Sequence, residues 1–107
     1  MNPLIDNLRA QCGGPRDGAL LRFSLGNALL NAGEHASAVE AFQQALAFDP
    51  HYSAAWKLLG KAFLAMHDEA GAADAWRQGI AVAQQRGDKQ AEKEMAVFLR
   101  RISPGEA

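Results

Sequence analysis

Trp56-Lys57-Leu58-Leu59-Gly60-Lys61-Ala62-Phe63 is the stretch from which the fold is read. Trp56, Leu59, Gly60 and Phe63 recur at intervals of three and four, the spacing of one face of an α-helix. Thirty-four residues upstream the same face returns as Arg22, Leu25, Gly26 and Leu29. That offset also carries Ala38 to Ala72, Phe42 to Trp76, Ala45 to Gly79 and Leu46 to Ile80. One period running through so many size-matched positions marks an internal repeat. Small residues at Gly26, Ala38, Gly60 and Ala72 let paired helices touch, and the aromatics fill the gaps between them. The pattern is that of a packing core, not of a cofactor box.

The second unit reads Trp56-x2-Leu59-Gly60-x2-Phe63 followed by Ala72-x3-Trp76, and the first ends with Ala38-x3-Phe42, Ala45 and Pro50. Over about residues 19 to 86 the chain resembles the tetratricopeptide-repeat family, whose signature is W-x2-L-G-x2-Y, then A-x3-F, then P. Two positions depart from it. Arg22 stands where an aromatic is usual, and Gln84 where proline would close the second unit. The resemblance implies a solenoid of antiparallel helix pairs, with units at 19–52 and 53–86. It also implies a protein that holds another polypeptide and catalyses nothing.

Local chemistry points to helices without help from the family. Leu21, Leu25, Ala28, Leu29 and Ala32 share a helical face. Gly33 then stops that helix, because glycine takes the left-handed C′ conformation at no steric cost. Ala38, Phe42, Ala45 and Leu46 form the stripe of a return helix that Asp49-Pro50 ends. The spacing predicts helices at about 3–11, 18–32, 35–48, 52–66, 68–86 and 88–102. The fold class is therefore all-α, a single domain over 1–107. Asn2-Pro3 caps a short N-terminal helix, and Gly13-Gly14-Pro15 is the only linker-like stretch. In 88–102, Ala91, Met95, Phe98, Leu99 and Ile102 share an apolar stripe opposite Lys89, Glu92, Lys93, Arg100 and Arg101. Such a half-polar helix suits a capping element that seals the end of a solenoid. Ser103 to Ala107 reads as a frayed tail.

The chain has 107 residues, 49 % of them hydrophobic and 21 % charged, the balance of a globular protein. Its formal net charge of −1 argues against a nucleic-acid partner, which would call for a basic footprint. Cys12 is the only cysteine, so neither an internal disulfide nor a cysteine zinc site can form. No signal peptide opens the sequence and no apolar run reaches the length of a membrane span, so a cytoplasmic protein is expected. His35 and His67 fall in turns within the helix pairs and His51 at the opposite edge. Those edges lie about 20 Å apart for fourteen residues rising about 1.5 Å each, too far for one metal ion. No nucleophile elbow, phosphate-binding loop or HExxH helix is present. The expectation is no cofactor, no metal and no enzyme.

A binding surface is expected on the concave side, which in this family comes from the first helix of each pair. The resemblance places Leu20, Phe23, Asn27 and Asn31 there from the first unit, and Lys57, Lys61 and Leu64 from the second. If one residue is inserted before the final helix, Lys89 and Lys93 turn inward as well. Acidic residues gather instead on turns and return helices, at Glu34, Glu40, Asp68, Glu69 and Asp74. Some family members grip a client's C-terminal carboxylate with lysine, asparagine and arginine. Asn27, Lys89 and Lys93 resemble parts of that clamp, while Phe23 and Leu58 replace two of its polar members. The expected ligand is an acidic, partly apolar peptide. The rival reading is a structural module that forms a homodimer through an open end of the stack.

Overall fold

The computed structural model describes residues 2–103. Six helices follow one another: α1 (Pro3–Ala10), α2 (Ala19–Asn31), α3 (His35–Phe48), α4 (Ser53–Ala65), α5 (Glu69–Arg86) and α6 (Lys89–Ile102). Each packs on the next in chain order, and α4 also touches both α2 and α6. Among the described residues no strand forms, so the architecture is the expected all-α stack of antiparallel helices. The frayed tail expected from Ser103 falls, for 104–107, outside the described residues.

Helix ends follow from single residues. The Asn2 Oδ1 accepts from the amides of Leu4 (3.1 Å) and Ile5 (3.3 Å), with Pro3 at the first helical position. α2 ends in a left-handed Gly33 (φ 80°), with the Glu34 amide donating to Leu29 O and the Gly33 amide to Leu30 O. α4 ends with the same pair of bonds, from Asp68 to Phe63 O and from His67 to Leu64 O. There the left-handed residue is His67 (φ 62°), one repeat beyond Gly33. α5 closes similarly on Gly87 (φ 70°), and Asp88 then caps α6 by accepting from the Ala91 amide.

The core is built on a small residue meeting a large one across each pair. A Cβ on Gly26 would lie 2.6 Å from Phe42 Cε1, and one on Gly60 would land on the Trp76 indole. Phe42 and Trp76 are both fully buried. At the joint between α5 and α6, a Cβ on Gly79 would meet the Met95 sulfur and lie 2.7 Å from Trp56 Cβ.

Two grooves run along the outer, convex side, one against α1–α3 and one between α3 and α5. The nine residues lining the first, from Arg9 and Cys12 to Ala41 and Gln44, reappear in the second 34 positions later, from Gln43 and Leu46 to Ala75 and Gln78. Because Arg9 and Cys12 correspond to residues of α3, α1 occupies the place of a return helix. α6, at the other end, takes the place of a first helix, its buried Ala91 and Met95 matching Ala55 and Leu59 of α4.

Arg22, the departure from the aromatic position, is held by specific partners. Its Nε and Nη2 each donate to Asp17 at 2.8 Å, and its Nη1 donates to Gln44 Oε1 at 2.6 Å. Asp17 also accepts from the amides of Gly13 (2.7 Å) and Gly18 (2.9 Å), so the Gly13-Gly14-Pro15 stretch is a tied turn. The Arg22 guanidinium first, and then the Gly13 amide, hold the Asp17 carboxyl well below the usual carboxylate range. A folded-state value below the unfolded one means this pairing favours the fold above about pH 4, the ordinary aspartate value. Its contribution fades as the pH falls further. Asp17→Asn should thus lower the melting temperature at pH 7, and its gap from wild type should narrow progressively as the pH falls below about 4. A gap that stays constant through acid would show that Asp17 does not support the fold through its charge.

Candidate functional site: the concave surface

The inner surface is formed by α2, α4 and α6, and its side chains are set by helix register. Phe23 is half-buried in the seam between α2 and α4. It stacks on Tyr52 (centroids 4.8 Å, planes 23°) and tilts against Phe42 (5.9 Å). Burial, with Asp49 nearby, pushes the Tyr52 hydroxyl above its ordinary value. Asn27 and Asn31 are exposed on the same face.

The seam between α4 and α6 is joined differently. Lys57 Nζ pairs with Glu94 Oε1 at 3.5 Å, and Lys61 Nζ lies 4.8 Å from the centre of the Phe98 ring. Exposed Leu64 sits beside these in a recess of about 290 Å³, shared with Lys61, Trp76, Phe98, Arg101 and Ile102. Its floor is apolar and its two cations stand on the rim, so it can take an apolar group next to a negative one. Lys89 and Lys93 are exposed on α6.

The one-residue insertion expected before α6 needs correcting. The caps Gly18 and Tyr52 are 34 residues apart, but Tyr52 and Asp88 are 36 apart. The buried rows agree: Leu21, Ala55 and Ala91 correspond, as do Leu25, Leu59 and Met95. The cause is the length of α5, which has 18 residues against 14 in α3 before its tight glycine turn. In this register Lys93 follows Lys57 along the inner face, while Lys89 corresponds to Ser53 at the helix start. The structure brings Lys61 and Leu64 together. It keeps the pair Lys57–Glu94 apart from the recess and uses Phe23 to fill a seam.

Sequence reasoning did not place Arg101, Glu94 or Tyr52 on this surface. Glu94 and Phe98 are spaced by four on α6 and share a face. That spacing was a usable signal, but it needed the α4–α6 register before it named a partner. Among the described residues no three histidine, cysteine, aspartate or glutamate side chains gather as a metal site would require. No helix of the described residues is long and apolar enough to cross a membrane.

A family model for the tetratricopeptide repeat matches residues 19–62. A tetratricopeptide-repeat-containing protein of Pseudomonas aeruginosa is 52 % identical over 99 residues, covering 92 % of this chain and 94 % of its own length. A Bordetella parapertussis protein of known solution structure superposes with a TM-score of 0.83 at 43 % identity, covering 100 % of this chain and 93 % of that one. A tetratricopeptide repeat domain protein of Salinibacter ruber shares the fold at TM-score 0.76 and 24 % identity, covering 84 % and 90 %. With its glycine–aromatic joints, its 34-residue period and relatives that match along nearly their whole length, the chain belongs to the tetratricopeptide-repeat family.

Proposed function

We propose that this chain is an adaptor, not an enzyme, that holds a segment of a partner polypeptide on its concave face, and that the segment is acidic and partly apolar. The observation that carries the reading is the recess at Leu64, where Lys61 lies over the Phe98 ring and Arg101 and Ile102 share the lining. Asn27, Asn31 and Lys93 would extend the contact along the inner face, and Phe23 and Lys57 would shape it from the seams. A cytoplasmic setting and a partner other than nucleic acid belong to the same reading. Exposed ion pairs are weak and screened by salt, so binding is expected to be modest and to fall as salt rises. Titration of acidic C-terminal peptides against wild type and Lys61→Glu/Arg101→Glu tests this. The double variant should bind at least about tenfold more weakly. Binding indifferent to both the substitutions and the salt would overturn the reading.

The rival, homodimerisation through an open end, has one observation of its own. Leu4 is 58 % exposed, while its repeat equivalents Ala38 and Ala72 are fully buried. Light scattering across a concentration series decides it. A dimer that Leu4→Glu dissociates would favour this reading, and a monomer throughout would exclude it.

A further inference from the structure

The two convex grooves are equivalent by sequence but differently filled. The first, of about 270 Å³, contains the Arg22 guanidinium, which donates to Gln44 and is backed by Asp17. In the second, of about 490 Å³, Trp56 takes the place of Arg22, Gln78 that of Gln44, Asp74 that of Glu40 and His51 that of Asp17. The α3 and α5 backbones stay apart, so the groove between them opens onto α4. Its floor is Trp56, Leu59 and Phe63, and Leu46 forms the wall from α3. Asp74, bonded by Gln78 Nε2 at 2.9 Å, is the one charged side chain on this lining among the described residues.

We propose that this second groove receives an arginine side chain from a partner polypeptide, on the face opposite the concave surface. In the protein's own first groove the glutamine that corresponds to Gln78 bonds a guanidinium, and in the second the Trp56 ring holds the Arg22 position and leaves that glutamine to a group from outside. The Asp17 position is His51 in the second groove, so the opposing charge comes from Asp74. The Trp56 indole offers an aromatic face against which a guanidinium packs favourably. Its Nε1 is already committed to Pro50 O at 2.9 Å, which fixes the ring as a platform. The apolar floor extends beyond the space for one guanidinium and suits an aliphatic residue beside the arginine. Arginine is specified over lysine because planar stacking combined with a forked set of donors is what this lining matches.

The probe is a blocked pentapeptide, glycine-leucine-arginine-leucine-glycine, titrated into the full chain and followed by residue-resolved NMR. The Trp56 indole and the Asp74 and Gln78 amides should shift. A lysine version should bind at least about fivefold more weakly and Asp74→Asn about threefold more weakly. His51→Asp/Trp56→Arg, which rebuilds the filled first groove, should abolish binding. Asp74→Asn keeps the test decisive if that variant fails to fold. Lys61→Glu/Arg101→Glu should leave this binding unchanged, so its outcome is separable from that of the concave reading. No shift in the groove, shifts confined to the surroundings of Lys61 and Arg101, or equal affinity for Asp74→Asn would each overturn the proposal.

Discussion

Gly60→Leu should destabilise the fold by about 1–3 kcal/mol or more, lowering the melting temperature by about 5–20 °C. Even the first added carbon falls on the Trp76 indole. That ring has nowhere to go. It is 1 % exposed, its Nε1 donates to Lys57 O at 3.1 Å, and its ring centroid lies 5.4 Å from that of the tilted Phe98 ring. Relief must therefore come from separating α4 and α5 or from breaking the indole hydrogen bond. Gln43→Leu, a change of similar size at an exposed position on α3, should be nearly neutral. Thermal melts compare the two, and equal effects would mean that the glycine–aromatic joint is not where the helices cross.

Loss of α6 should be at least as damaging. Ala91, Met95 and Leu99 are buried, and with Phe98 and Ile102 they cover Trp76, Ile80 and Ala83. Removing 88–107 leaves that apolar surface open and also breaks the bond from Ser53 Oγ to Asp88 Oδ2 (3.1 Å) and the Lys57–Glu94 pair. The truncated chain should aggregate or lose its cooperative melt. A milder probe is Met95→Ala, which empties a fully buried site against Gly79 and should cost about 2–5 kcal/mol. A truncated chain that stays monomeric with an unchanged melting temperature would show that α6 does not hold the end of the stack.

α6 thus acts at two levels. It closes the second half of the core, and it supplies Phe98, Arg101 and Ile102 to the inner recess. Variants that loosen it are therefore expected to weaken peptide binding before they unfold the chain, since the recess depends on the α4–α6 register.

By itself the sequence determined the six helices, their ends and the pairing of small with large residues, because these depend on contacts close along the chain. Gly33 ends a helix through its own backbone freedom. Gly26 and Phe42 are joined by one short turn, which leaves their helices a single antiparallel way to meet. The 34-residue period was legible for the same reason. What only the tertiary structure decided lies between elements separated by variable connections. α1 proved to be a return helix in the common period, hidden by its eight residues and by the turn that Asp17 ties to Arg22. The longer α5 set α6 two residues out of the period instead of one, and that shift selected Glu94 for Lys57 and Phe98 for Lys61. Periodicity tells which side of a helix is apolar. The rotation and offset of one helix against another are settled by how side chains interlock, and those offsets decide which charges meet and which recess stays open.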